Sequence, residues 1–240
     1  MNTLPGIITL PAVSVSTSLL PLLTGTVQSG VGMGMGYVRF GDTVVAVVSP
    51  GYPRMPNGVE TDVRVDAGQP ARIGDGHLDT MTHSVTVGRL WNPVPNPEVT
   101  IDVGDPFIPD VAALLGRGPG LTPAGDDLLV GFLAGQFLFR AESEPLIHVP
   151  VHLTTALSRT LLVEAMDGAL PEPAHALVEH GDLTPLRSFG HSSGLWLAVG
   201  LCLAACAHPH LPVRSPQELT ASAAEAILRG CRITRRSAHT

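Results

Sequence analysis

A chain of 240 residues with a net charge of −7 and no lysine at all has no basic face to offer a nucleic acid. Only 15% of its residues are charged and its mean hydropathy is +0.27, against roughly a quarter charged in a typical soluble domain, which points to much buried or subunit-facing surface. The longest apolar runs, Leu128 to Phe139 and Leu195 to Ala207, are about 12–13 residues, short of the roughly 20 needed to cross a bilayer, so no membrane partner is expected.

The N-terminus shows no basic segment ahead of its apolar residues, so no signal peptide is expected. Three cysteines, Cys202, Cys206 and Cys231, are an odd number and fit a reducing, cytoplasmic compartment. Cys202 and Cys206 lie four apart in an apolar run without partners at zinc spacing, and read as packing.

Residues 1–105 read as a β-rich domain. Thr43 to Val48, Ser84 to Val87 and Val99 to Val103 are strand candidates rich in β-branched residues. Turn formers punctuate them at Ser49-Pro50-Gly51, Pro56-Asn57-Gly58 and Asp75-Gly76. Gly30, Gly32, Gly34 and Gly36 alternate with larger residues, which in a strand puts the glycines on one face, bare for another backbone to approach. Trp91 to Pro97 carries three prolines and reads as a boundary.

From residue 106 to 240 the period turns helical, with helices expected near 106–115, 123–140, 150–168, 171–180, 192–208 and 216–230. Arg235 and Arg236 are expected in a frayed tail. Strands first and helices second predict an α+β class.

The richest stretch is Gly116-Arg-Gly-Pro-Gly-Leu-Thr-Pro-Ala-Gly-Asp-Asp127. Thr122 suits an N-cap and Pro123 the first helical position. Asp126 and Asp127 then fall in the first turn, where the helix dipole favours negative charge. Such a cap needs neither three alternating glycines (Gly116, Gly118, Gly120) nor a second Asp. A glycine loop, free helix N–H groups and paired carboxylates are the parts of a phosphate or metal–phosphate site.

A second helix opens at Gly190-His191-Ser192-Ser193-Gly194. Gly131 and Gly135 on the first helix, and Gly194, Ala198, Cys202 and Cys206 on the second, make small-residue stripes that let helix backbones approach. The two helices are therefore expected to pack with both N-termini at one end. In that pocket Asp126 and Asp127 are candidate Mg²⁺ ligands and catalytic carboxylates, Ser192 and Ser193 with backbone N–H groups take phosphate oxygens, and His191 is a candidate acid or base. The alternative is that His191 and the serines simply cap a helix.

Gly118-Pro-Gly-Leu-Thr-Pro-Ala-Gly-Asp-Asp-Leu-Leu-Val-Gly131, Leu157-Ser158 to Gly168, and Gly190-His-Ser-Ser-Gly194 together resemble the AllH-type small-subunit family of oxamate carbamoyltransferase. Leu195-Trp196-Leu197 departs from the family pattern, which carries an acidic residue there. The resemblance implies a reaction of oxalurate and phosphate to oxamate and carbamoyl phosphate, in purine (allantoin) catabolism, with two larger partner subunits. It also implies functional positions at 118–127 and 190–194, including Gly118, Gly120, Thr122, Gly125 and Gly194. No organic cofactor is expected on this reading. Two alternatives stand beside it: a Mg²⁺–ATP-dependent ligase or carboxylase-like subunit, the only reading that needs ATP, and a non-catalytic assembly or regulatory subunit.

Overall fold

The computed structural model describes residues 7–140 and 144–236. The first six residues, on which the absence of a signal peptide partly rests, lie outside the described residues. The chain forms two compact units, one ending at Pro93 and the other beginning at Val94. The class is α+β, as the order of strand and helix signals predicts.

The strands of the first unit are β1 (Ile8–Pro11), β2 (Ser14–Ser16), β3 (Gln28–Gly34), β4 (Tyr37–Phe40), β5 (Thr43–Val48), β6 (Gly58–Glu60), β7 (Pro70–Gly74), β8 (His77–Asp79), β9 (His83–Thr86) and β10 (Arg89–Trp91). They make one sheet in the order β1-β9-β8-β7-β3-β4-β5-β6-β2-β10. Only Ala12 and Val13 separate β1 from β2, and these neighbours bond in opposite directions. The Ala12 N–H donates to Thr86 and the Val13 N–H donates to Glu60. Residues 8–16 thus form one ribbon, parallel to 83–91 in unbroken register, with Ile8 facing His83 and Ser14 facing Arg89. The same ribbon pairs with β6 on its other side. The sheet is therefore closed through this ribbon into a barrel, and only the short strands β1 and β10 keep a side without a strand neighbour.

Inward positions alternate along the strands, as the period of two demands. Val38, Phe40, Val45, Val47, Ile73, Leu78 and Val85 share one core, joined by Leu19 and by Leu23 of the short helix α1 (Leu20–Thr24). The glycine alternation has its expected use in part. A Cβ on Gly32 would stand 2.0 Å from the Asp66 carbonyl oxygen, so only glycine lets that backbone in. Gly34 and Gly36 instead have positive φ and form the β3–β4 turn.

The second unit contains β11 (Val99–Val103), β12 (Ile108–Pro109), α2 (Val111–Leu114), α3 (Ala124–Phe139), α4 (Ala156–Met166), α5 (Glu172–His180), α6 (Thr184–Arg187), α7 (Ser193–Cys206), β13 (Val213–Arg214), α8 (Ala221–Arg229) and β14 (Cys231–Arg235). The helix expected at 106–115 shrinks to one turn, because Ile108–Pro109 pairs with Val213–Arg214 and Asp110 caps what remains. The expected frayed tail is also corrected. Arg235 ends a strand that pairs antiparallel with β11, opposite Val99, and the Arg236 N–H donates to Glu98. The alternating Ile233 and Thr234 supply that strand's two faces.

Helices α3 and α7 form the centre of this unit. Ala124 to Gln136 and Gly194 to Ala204 are buried without a break, as expected of helices apolar all round. A Cβ on Gly131 would stand 2.1 Å from the Leu197 carbonyl oxygen, and one on Gly200 would stand 2.1 Å from that of Leu128. The backbones therefore touch. The stripe on α7 is not the expected Gly194, Ala198, Cys202 and Cys206. Gly200 and Ala204 meet α3 instead, and Gly194 packs on the Leu186 carbonyl of α6.

Candidate functional site

The two helices run parallel, so their N-termini lie side by side. Thr122 Oγ1 and Ser193 Oγ are 3.4 Å apart. Neither helix is capped as the sequence predicts. Helix α3 starts one residue later, at Ala124, with Pro123 in the cap position and no side-chain cap. The Gly125 N–H donates instead to the Arg117 carbonyl of the glycine loop, at 3.0 Å. Helix α7 repeats the device: Ser192 makes no cap bond, and the Gly194 N–H donates to the Phe189 carbonyl at 3.0 Å. Main-chain carbonyls do the capping, so the Thr122, Ser192 and Ser193 hydroxyls are not consumed by it.

The loop needs its glycines for this path. Gly118 has φ of 121° and a Cβ there would crowd the Ala124 nitrogen at 2.9 Å. Gly120 lies on the exposed part of the loop.

The two aspartates have different jobs. Asp126 is fully buried and both its oxygens are engaged: Oδ1 accepts the Gly116 N–H at 2.7 Å and Oδ2 accepts the Thr154 hydroxyl at 2.5 Å. It ties the loop and the start of α4 to α3. Asp127 is 6% exposed, and its Oδ2 has no partner. Burial pushes its carboxyl from 3.8 up to about 7; a hydrogen bond from Ser193 opposes the rise, the charge of Asp126 adds to it, and Thr122 opposes it. A buried carboxyl at a helix start with one oxygen unpaired and its proton held up to about pH 7 is a group poised to hold or release a proton near neutral pH.

The aspartate pair is a poor donor set for a resident Mg²⁺, because each Asp126 oxygen already accepts a hydrogen bond and burial disfavours the ionised form of Asp127. Among the described residues no group of three or more His, Cys, Asp or Glu gathers to hold a metal.

The structure thus brings together Thr122, Asp126, Asp127 and Ser193. His191 is exposed on the turn ahead of α7, beside the half-buried Ser192. Sequence reasoning missed the start of α4. Thr155 donates to the Leu121 carbonyl at 2.7 Å, so three helix N-termini, α3, α4 and α7, meet around residues 121–127. The Thr-Thr-Ala entry to α4 reads as an ordinary cap, and nothing local marks its tertiary partner.

A separate cavity of about 450 Å³ lies between β11, β13 and α8, with Phe107 in its wall and the Arg214–Asp105 ion pair, 2.7 Å at its shortest, at its rim. None of the candidate site residues lines it.

No helix among the described residues is long and apolar enough to cross a membrane. The family model described as oxamate carbamoyltransferase subunit AllH matches residues 114–205, from the end of α2 to the last turn of α7. That span contains all three helix starts, and the resemblance drawn from the motifs is borne out over it. Neither the curated proteins nor the solved structures contain a match to the chain.

Proposed function

With residues 114–205 as an AllH-type segment, we propose that the chain is a subunit of a carbamoyltransferase of the oxamate carbamoyltransferase type, and that the converging helix starts bind the phosphate group of its reaction. The buried carboxyl of Asp127, half unpaired beside two helix N-termini, carries this reading.

A helix N-terminus attracts an oxyanion through its dipole and its free N–H groups. Two buried aspartates would oppose that attraction if both were fully charged and unpaired. Asp126 is matched by the Gly116 N–H and the Thr154 hydroxyl. Asp127 in its protonated form is a donor, so it adds a hydrogen bond to the anion where its ionised form would repel it.

In the forward reaction a phosphate oxygen attacks the carbamoyl carbon of oxalurate. The C–N bond to the oxamate nitrogen breaks, that nitrogen takes up a proton, and carbamoyl phosphate forms. Ser193, Ser192 and Thr122 supply hydroxyls to the phosphate oxygens. On this reading His191, on the exposed turn, delivers the proton to the leaving nitrogen. Two larger partner subunits, named by the family resemblance, complete the oxalurate side. Preorganised donors of this kind are worth roughly 3–4 kcal/mol each in other enzymes.

Thermal shift of the full chain with inorganic phosphate and with carbamoyl phosphate tests this. A ligand at about 100 times its dissociation constant adds roughly 2.7 kcal/mol of stability. Stabilisation by either anion, greater at about pH 6 than at about pH 8 because Asp127 then carries its proton, is the expected result. Asp127→Asn, whose amide donates at every pH, should bind with that pH dependence flattened. Stabilisation by Mg²⁺–ATP alone would favour the ligase reading, and none by any anion would refute the phosphate site.

A further inference from the structure

The start of α4 holds a second polar atom that is buried and unused. Ser158 is 1% exposed and its Oγ has no hydrogen-bond partner. It stands in the first turn of an eleven-residue helix whose cap is tied to the phosphate loop. The Thr155 hydroxyl accepts the Ser158 N–H at 3.1 Å and donates to the Leu121 carbonyl at 2.7 Å. One residue along, Thr122 contacts Ser193. One residue before the cap, Thr154 holds Asp126. The backbone of Ser158 is therefore linked through the single Thr155 hydroxyl to the loop ahead of α3 that also touches the start of α7.

A buried hydroxyl without a partner is unfavourable in the empty protein, as is the unpaired oxygen of Asp127. The two stand in the first turns of helices whose starts are hydrogen-bonded to each other. A ligand with several oxygens would satisfy the hydroxyl and the protonated carboxyl together.

We infer that Ser158 is a direct ligand of the anion, so that the site has three helical walls and the Ser158 hydroxyl donates to a phosphate oxygen. This rests on the phosphate-site reading above and extends it to a third helix. A three-walled cradle of donors suits a tetrahedral oxyanion with three free oxygens, the shape of phosphate and of the phosphoryl end of carbamoyl phosphate.

Calorimetric titration of the full chain with inorganic phosphate and with carbamoyl phosphate, for the wild type and Ser158→Ala, tests it. The hydroxyl is unpaired without ligand, so Ser158→Ala should melt at or above the wild-type temperature. Its dissociation constant for both anions should rise tenfold or more. A Ser158→Ala protein that binds like the wild type overturns this inference and leaves the two-helix site standing. A variant that loses stability without ligand shows the hydroxyl to be structural and overturns it as well. A wild type that binds neither anion overturns the phosphate site itself, and this inference with it.

Discussion

Replacing Asp127 with Asn should flatten the dependence of stability on pH. In the fold the Asp127 carboxyl stands at about 7, against 3.8 without the fold. A carboxyl raised in this way favours folding most below the unfolded value, and that contribution is lost as pH rises through the folded one. At about 1.4 kcal/mol for each tenfold change in proton affinity, the loss between about pH 4 and about pH 7 is about 4 kcal/mol. Asn does not ionise and carries no such slope. The stability difference, Asp127→Asn minus wild type, should therefore grow by about 4 kcal/mol from about pH 4 to about pH 8, with the variant the more stable protein at the alkaline end. Groups that titrate equally in both proteins cancel in this difference. Urea unfolding at four or five pH values measures it. A difference that stays flat across the range would mean that Asp127 ionises freely in the folded protein, and the account of a proton held at the helix start would fall.

Other substitutions probe the scaffold and the thiols. Gly200→Ala puts a methyl group 2.1 Å from the Leu128 carbonyl oxygen and 2.6 Å from the Phe132 nitrogen; both neighbours are backbone, so the melting transition should fall by about 3 kcal/mol, the upper end of ordinary overpacking, and an unchanged transition would refute the close approach. Asp126→Asn keeps one acceptor oxygen where two are needed and should lose about 1–3 kcal/mol, with faster tryptic cleavage after Arg117 as the local readout. Alkylation should mark Cys231 ahead of Cys202: the Cys202 thiol hydrogen-bonds Cys231 and holds it below the usual thiol value, while Cys202 itself is fully buried and pushed up. Peptide mapping after brief iodoacetamide treatment checks that order.

The sequence made α3 and α7 legible as a pair because Gly131 and Gly135 recur one turn apart on a helix otherwise built of large apolar residues. It misdirected the facing stripe for a physical reason. Helix α7 is apolar on every side, so no polar face orients it, and Gly194, Ala198, Cys202 and Cys206 look as suitable as Gly200 and Ala204. Thr122 followed by Pro123 carries the usual signature of a cap, yet the Arg117 carbonyl takes that role. Nothing in a local window reveals a carbonyl that arrives from the preceding loop. The roles of Thr154 and Thr155 were hidden because their partners lie about thirty residues upstream at another helix start. Closure of the N-terminal sheet was equally invisible. It depends on a parallel pairing between residues 8–16 and 83–91, and the intervening residues carry no mark of it.

That closure limits how the N-terminal unit can meet other subunits. With its seam sewn by residues 8–16, the sheet leaves only the short outer sides of β1 and β10 as open rows of N–H and C=O groups, so a partner has little edge on which to add a strand. Contact then falls mainly to side chains standing on the outer wall, where Val31 and Met33 project from β3 and Met35 from the turn beyond it. The ribbon also concentrates risk. A proteolytic nick or destabilising change between Ile8 and Ser16 would unzip two ladders at once, and the unsatisfied backbones of β6 and β9 would become templates for aggregation.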